Sequence, residues 1–227
     1  MSLGSPAGRG RRSGGLGTDP GGCRTSRAQR APATRQGRKR VVVVGEANSG
    51  KTALVNSIVG AEVLKPSFIS PTLHQTVVRY ATSASLWAET SDGRRMQLAW
   101  GSAEDRVAGD IYRLHVGVPL ARLAGMTVID TPGLEPSAEE NTARICRNAD
   151  LVIWCTPAMQ AWKASEKQAW LALPERVHSR SVLAVTFADE IESQSDMARL
   201  MARLREDAGP YFVSVVIAAE CAQLLSA

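Results

Sequence analysis

The stretch from Val41 to Val59 constrains this chain more than any other, because it carries VVVVGEANSGKT followed by ALVNSIV. Four β-branched residues that end at a glycine predict a buried strand. Gly45 to Thr52 match G-x-x-x-x-G-K-[ST], and the residues after Thr52 predict a helix. A strand, a glycine loop and a helix in this order surround an anion with loop N–H groups and a helix N-terminus. We predict a phosphate-binding loop, since a plain turn would need neither Lys51 nor Thr52.

The chemistry of this loop assigns a role to two of its side chains. Lys51 is expected to reach the β- and γ-phosphates of a nucleotide, and Thr52 to offer its hydroxyl to Mg²⁺. The loop N–H groups would hold the other phosphate oxygens. The predicted nucleotide-binding residues of this stretch are Gly45, Glu46, Ala47, Asn48, Ser49, Gly50, Lys51, Thr52 and Ala53.

A second motif, Asp130-Thr131-Pro132-Gly133, follows the apolar run Met126–Ile129. The carboxyl end of a buried strand is where α/β sheets place groups that bind ligands. Asp130 is expected to hold a Mg²⁺-bound water, and the Gly133 N–H to contact the γ-phosphate. Alone this tetrapeptide is a common turn, but downstream of the glycine loop it is a strong signal.

Strand and helix patterns alternate along most of the chain. This alternation predicts an α/β fold of three layers, with a mostly parallel sheet between helices. Trp162 and Trp170 are eight positions apart, which predicts one face of a shared helix. The pattern around 106–114 does not decide between helix and irregular structure. Further strands are predicted at 76–80, 126–130, 151–155, 181–186 and 212–217, two more within 85–100, and helices at about 138–148, 162–173 and 195–207.

The first 38 residues are rich in Gly, Arg, Ser and Pro and have almost no large apolar side chains. We expect this tail to be disordered, because it cannot bury enough surface to offset chain entropy. Residues 1–40 contain ten Lys or Arg and one acid, which leaves 17 basic and 21 acidic residues in the remainder. A nucleic-acid-binding face on the globular part is therefore not indicated. The tail itself is open to interpretation as an inert extension, a basic arm for lipid or nucleic acid, or an organelle presequence.

The cysteines and histidines show no spacing that is typical of metal ligands. Four cysteines in a chain of this length do not suggest a disulfide framework, and they are typical of reduced thiols in the cytoplasm. No apolar run approaches the roughly 20 residues that span a bilayer, and the first 30 residues lack the apolar centre of a secretory signal. We therefore expect a cytoplasmic protein.

Together these residues resemble the P-loop GTPases, and the sequences of their motifs are similar to those of the bacterial dynamin-like family. The loop of that family typically has the sequence G-E-F-N-S/A-G-K-S/T. The resemblance extends over roughly residues 40–220 and implies a GTPase G domain at 39–227 that hydrolyses GTP with Mg²⁺. It also rests on Pro71-Thr72, Asp130–Leu134, Ala149–Trp154 and Ser165-Glu166.

The family resemblance also identifies the segment that would recognise the base. The family motif is usually T/N-K-x-D, and Thr186-Phe187-Ala188-Asp189 occupies its place. Asp189 would accept both guanine N–H donors, which would exclude adenine. Phe187 replaces the lysine, and either its ring covers the base or base affinity is weakened. Ala218 falls where the family has Ser-Ala near the guanine.

Two parts of the sequence differ from common GTPase patterns. One is the first switch, the segment whose threonine closes over Mg²⁺ and the γ-phosphate, and the other is the position of the residue that assists hydrolysis. The family often has Pro-Thr-Thr where this chain has Pro71-Thr72-Leu73. Thr72 is the expected Mg²⁺ ligand with Thr76 as a reserve, and Leu73 would impair turnover if the ligand belongs one position later.

Leu134 stands where many small GTPases have a water-orienting glutamine. Asn48 matches an asparagine that helps bind K⁺ in cation-activated GTPases, and stabilisation of the loop is an equally weighted alternative. The expected catalytic residues are Lys51, Asn48, Thr72 and Gly133.

The family resemblance also raises expectations about partners. We expect the residues after the predicted last strand to be too few for the closing helix and the helical stalk of dynamins. This expectation favours a fragment, a short form or one half of a two-gene system. The chain would then pair across its nucleotide face as a homodimer or with a stalk-bearing partner chain, and would reach a membrane only through that partner. The alternatives are a regulatory module that holds nucleotide with little turnover and an RNA- or ribosome-associated assembly GTPase.

Overall fold

A nine-stranded sheet forms the centre of the computed structural model, which describes residues 37–64, 74–100, 111–134 and 139–225. The expectations for the tail at 1–36 and for Thr72 and Leu73 lie outside these residues. The strand order is β4-β3-β5-β2-β6-β1-β7-β8-β9. The strands are β1 (Lys39–Gly45), β2 (Gln75–Tyr80), β3 (Ser85–Thr90), β4 (Arg95–Leu98), β5 (Ile111–Val118), β6 (Met126–Asp130), β7 (Leu151–Pro157), β8 (Ser181–Thr186) and β9 (Ser214–Ile217).

Six helices connect or flank these strands in the described residues. Strands β6, β1, β7, β8 and β9 run parallel, and β2 joins them antiparallel to β6. The expected α/β fold with a mostly parallel sheet is confirmed. The helices are α1 (Lys51–Val59), α2 (Glu139–Arg147), α3 (Ala164–Leu171), α4 (Glu175–His178), α5 (Gln194–Asp207) and α6 (Ala218–Leu224).

Strand β1 lies in the middle of the sheet and is buried on both faces. Val42 and Val44 pack into the core cluster that contains Trp154. Val41 and Val43 pack on the other face, with Leu54 and its neighbours on α1. A strand that is covered on both faces needs apolar residues at consecutive positions, which explains the unbroken valine run.

Helix α1 ends at Gly60, and Asn56 fixes the path of the chain beyond it. Gly60 has a φ of +78°, and its N–H donates to the carbonyls of Asn56 and Ser57. The Asn56 side chain accepts bonds from the N–H groups of Val63 (3.1 Å) and Leu64 (2.9 Å) and donates to the Leu64 carbonyl. The Gly60 bonds satisfy carbonyls that the end of the helix leaves open, and the Asn56 bonds fix the chain that follows.

Three parts of the fold differ from the sequence expectations. Strand β5 occupies Ile111–Val118, so the helical or irregular structure expected around 106–114 is wrong for 111–114, while 106–110 lie outside the described residues. Strand β9 begins at Ser214, because a 3₁₀ turn at Gly209–Tyr211 precedes it. A helix, α6, follows the last strand and begins at Ala218, so the expectation of no closing helix is wrong. At its start the Glu220 carboxylate accepts a bond from the Ile217 N–H at 3.2 Å. Among the described helices, none is both long and apolar enough to cross a membrane.

Candidate functional site

The glycine loop is confined between the carboxyl ends of β7 and β8. A Cβ on Gly45 would lie 2.6 Å from the Cys155 carbonyl oxygen, and one on Gly50 would lie 3.1 Å from the Thr186 side chain. Gly50 also has a φ of +80°, which favours glycine. The two glycines of the motif are therefore required by close approach, as expected for a loop that wraps around a ligand.

Helix α1 presents an open N-terminus at the end of this loop. Gly50 is its N-cap and provides no side chain to bond the first N–H groups. The first turn, all of it described, has no acidic residue, and Ala53 is exposed there. Unpaired N–H groups and the helix dipole at such an end attract an anion.

The Lys51 ammonium points back across its own loop. Its Nζ donates to the Glu46 carbonyl at 2.6 Å, and the residue is only 8% exposed. Burial lowers the pKa of Lys51, although the nearby Asp130 carboxylate opposes that shift. A buried cation that is held by one carbonyl is available to a stronger anion such as a phosphate.

Thr52 and Asp130, from α1 and the end of β6, lie in contact. The Thr52 Oγ1 donates to the Asp130 Oδ2 at 2.7 Å. The other carboxylate oxygen, Oδ1, is buried and has no hydrogen-bond partner among the described residues. Burial raises the pKa of Asp130 to about 6, against the opposing effects of Thr52 and Lys51. A hydroxyl beside a carboxylate with an open oxygen is a donor set that fits Mg²⁺.

The segment after Asp130 packs directly against the glycine loop. Thr131 donates through Oγ1 to the Val43 carbonyl at 2.8 Å, and the Leu134 N–H donates to the Gly45 carbonyl at 3.3 Å. A Cβ on Gly133 would lie 2.9 Å from the backbone N and Cα of Ala47. Gly133 is therefore a glycine because the two segments touch at this point.

The segment expected to recognise the base lies at the end of β8, but its residues have different surroundings. Thr186 is buried, and its Oγ1 donates to the carbonyls of Ser49 (2.8 Å) and Thr156 (3.2 Å). It therefore holds the glycine loop against the sheet. Phe187 has a φ of +53° and is 38% exposed, with its Cε2 3.3 Å from a Cβ built on Gly50. Asp189 is exposed in the 3₁₀ turn Ala188–Glu190.

Three further candidates are placed by the structure. Asn48 is exposed, has a φ of +58°, and its side chain makes no hydrogen bond within the described ranges. Thr76 is a buried strand residue that faces Asp130 across the β2–β6 pair, so it is fixed in the sheet. Ala218 begins α6 and packs at the edge of the core.

The structure adds Lys163 to the vicinity of the loop, which sequence reasoning missed. Its Nζ lies 2.6 Å from the Glu46 Oε2, and the Ser165 Oγ donates to the Glu46 Oε1 at 2.7 Å. The resemblance at Ser165-Glu166 marked this segment, but no signal in the sequence singled out Lys163.

Glu166 anchors the same segment from the inside. It is fully buried and accepts bonds from the Thr156 Oγ1 (2.8 Å), the Lys163 N–H (3.1 Å) and the Trp154 Nε1 (3.3 Å). Burial raises the pKa of Glu166, and these donors oppose the shift. The start of α3 is thereby fixed to β7, beside the glycine loop.

Comparison with known proteins shows that the chain matches a family model and is similar to a bacterial relative. Residues 41–189, more than half of the chain, match the model of the dynamin family. The chain is 26% identical over 161 residues to dynamin-like protein 2 of Campylobacter jejuni subsp. jejuni serotype O:23/36 (strain 81-176). That alignment covers 68% of this chain and 26% of the relative, so the chain spans about a quarter of the relative's length.

Two solved structures are similar in fold. A bacterial dynamin pair, described as oligomerised and as a mechanism for sensing and tethering membranes, has a TM-score of 0.58 at 23% identity. The match covers 79% of this chain and 30% of that one. An Era variant of Aquifex aeolicus bound to GDP·AlF4⁻ has a TM-score of 0.50 at 17% identity, over 82% of this chain and 54% of that chain. At these identities the likeness concerns the fold.

Proposed function

The chain belongs to the dynamin family, and from this we propose that it binds GTP with Mg²⁺ and hydrolyses it to GDP and phosphate. The observation that carries the proposal is the contact between Thr52 and Asp130 at the base of the glycine loop, which leaves the Asp130 Oδ1 open. A buried carboxylate oxygen without a hydrogen-bond partner is costly, and a cation or its bound water at this place would remove that cost.

The phosphate groups would be held by the loop and by Lys51. The backbone N–H groups from Gly45 to Gly50 and the first turn of α1, including Ala53, would bond the phosphate oxygens. Lys51 would exchange the Glu46 carbonyl for the β- and γ-phosphates. This exchange replaces a neutral acceptor by a charged one, which favours binding.

Thr52 and Thr72 would be direct ligands of Mg²⁺, and Asp130 would hold one of its water ligands. Bound there, Mg²⁺ would neutralise part of the charge on the phosphates. The Gly133 N–H would lie at the γ-phosphate, where its contact with Ala47 keeps it beside the loop. Thr72 enters this set from the family resemblance, since it lies outside the described residues.

The catalytic charge would come from Asn48 and a K⁺ ion. Leu134 has no side-chain group that could orient a water molecule. Asn48 has an exposed amide that is not used inside the described part of the protein. Its oxygen would ligate K⁺, and the cation would stabilise negative charge in the transition state. Turnover would then be slow until a dimer partner or the cation completes the site.

Guanine would be selected by Asp189. Its exposed carboxylate would accept from the two guanine N–H donors that adenine lacks. The Phe187 ring, which lies at Gly50, would cover one face of the base in place of a lysine stem. Thr186 would act on the loop, while Ala218 would lie near the guanine as the family resemblance implies.

The partner is proposed to be a second copy across the nucleotide face or a stalk-bearing chain. The solved bacterial dynamin pair, which is described as oligomerised, supports an assembly of this kind. Membrane association would come from the partner, and binding of nucleic acid is not part of the proposal. A cytoplasmic location agrees with Cys146, Cys155 and Cys221, which are free thiols in the structure.

Calorimetry with GTP, GDP and ATP in the presence of Mg²⁺ tests the binding proposal, and phosphate release in K⁺ and in Na⁺ tests the catalytic one. We expect guanine-selective binding and release that K⁺ stimulates. Equal binding of ATP would contradict the role of Asp189, and no binding of any nucleotide would overturn the proposed function.

Two departures from the family pattern, Leu73 in the first switch and Phe187 in place of a lysine, favour a second candidate, a module that holds nucleotide with little turnover. Guanine binding without phosphate release in either salt would identify that candidate.

An RNA-associated GTPase would instead use the basic tail, and deletion of residues 1–36 should then abolish RNA binding.

A further inference from the structure

The second residue of the glycine loop, Glu46, carries a negative charge in a loop that is proposed to bind phosphates. The carboxylate of Glu46 is three-quarters buried, and its two oxygens are held separately by Lys163 and Ser165, at 2.6 and 2.7 Å. Its backbone carbonyl holds Lys51. Burial raises the pKa of Glu46, but the hydrogen bonds and charges of its partners keep it below the usual value. The group is therefore ionised at neutral pH.

Lys163 is held in place by the buried network at the start of α3. Its N–H donates to the fully buried Glu166 at 3.1 Å. The preceding N–H, from Trp162, donates to the Thr156 Oγ1 at 2.9 Å. The backbone of Lys163 is therefore fixed relative to β7, and its side chain extends from a defined position to the loop.

The two lysines beside the glycine loop have different positions and therefore different expected roles. Lys51 bonds the Glu46 carbonyl within the glycine loop and would contact the phosphates directly. Lys163 lies outside the loop and contacts the Glu46 carboxylate. Without Lys163, the loop would carry an unbalanced negative charge next to a ligand that has several. Coulomb repulsion between a carboxylate of the loop and a polyphosphate held by the same loop would be substantial in a partly buried site.

We propose that Lys163 is a positioning residue that balances the charge of Glu46, so that a glutamate can tether the phosphate loop to α3 without repelling the nucleotide. This inference rests on the proposed GTP binding. The ligand class is a nucleoside polyphosphate, and the effect of Lys163 should increase with the number of phosphates.

The test compares GTP and GDP dissociation constants for the wild type, Lys163→Met, Glu46→Gln and the double variant. Lys163→Met should weaken GTP binding about tenfold at low salt, and high salt should reduce the loss. GDP should lose less than GTP. Glu46→Gln should tighten GTP binding about twofold, because it leaves the Lys163 charge unpaired. The double variant should return to about the wild-type dissociation constant, because it removes both charges.

Two controls separate this effect from folding. Arg94→Met removes an ion pair of the same 2.6 Å length, with Asp92 in the turn between β3 and β4, and should leave GTP binding unchanged. Melting temperatures should stay close to that of the wild type for all variants, since partly exposed ion pairs contribute little to stability.

A Lys163→Met protein that binds GTP like the wild type would overturn the inference. A double variant as weak as Lys163→Met would also overturn it, because the pair would then act only as a mechanical tether. Failure of the wild type to bind GTP at all would overturn the proposed function, and this inference with it.

Discussion

The phosphate end and the base end of the candidate site differ in how their side chains are held. At the phosphate end, Lys51 and Asp130 are buried, and Thr52 and Asp130 bond to each other. At the base end, Phe187 and Asp189 are exposed, and no bond among the described residues holds the Asp189 carboxylate. Under the proposed function, nucleotide affinity would come from buried side chains, whereas base selectivity would depend on a few surface side chains. Substitutions at the two ends should therefore fail in different ways.

The largest effect is expected for Lys51→Ala. Loss of a charged hydrogen bond to phosphate from a buried position should weaken GTP and ATP alike, by about 100-fold. Calorimetry measures both constants, and Arg94→Ala at the far edge of the sheet is the matched control. Retention of GTP affinity within a factor of about three would contradict the assignment of the loop.

Asp130→Asn should have the next largest effect. The neutral amide keeps the size of the side chain but offers a weaker cation site, so GTP binding in Mg²⁺ should fall about 30-fold. In EDTA the variant and the wild type should bind almost equally. A loss of the same size in EDTA would mean that Asp130 acts on the loop and not through the metal.

Asp189→Asn should lower selectivity for GTP over ATP, because it should weaken GTP alone. Loss of the carboxylate should weaken GTP about tenfold, since a bidentate contact to a base edge contributes about 1–3 kcal/mol of discrimination. ATP binding should stay as it is, because the phosphate end is untouched. Equal losses for GTP and ATP would break the proposed division between the two ends.

Phe187→Gly should have the smallest effect on binding. GTP affinity should fall about threefold through lost stacking, while relief of the left-handed backbone should stabilise the fold by about 1 kcal/mol. Thermal unfolding and calorimetry measure the two effects separately. A drop in melting temperature would show that the ring packs mainly for stability.

The centre of the molecule was predictable from the sequence, and the contacts at its edges were not. The valines of β1 and the glycine loop carry local signals, because both faces of one strand and a tight turn restrict the residues allowed. In strand β5 the adjacent Tyr112 and Arg113 interrupt the alternation of apolar and polar residues that indicates a half-buried strand, so the sequence there gives no clear strand signal.

Long-range polar contacts explain the remaining differences. Trp162 was expected on a helix with Trp170, but α3 begins two residues later. Its N–H instead bonds Thr156, and its backbone takes a φ of +58°. The Glu46–Lys163 pair likewise joins residues that are far apart in the sequence, and charged side chains of this kind leave no periodic pattern.

The position of β1 has a consequence for how the protein opens. Val41–Val44 are at most 1% exposed, and β1 is bonded on one side to β6 and on the other to β7. Amide protons in such a strand exchange with solvent only when the whole domain unfolds, whereas the edge strands can fray separately. The strand that leads into the candidate nucleotide site therefore belongs to the last unit to lose its structure, and a nucleotide bound there should slow exchange throughout the domain.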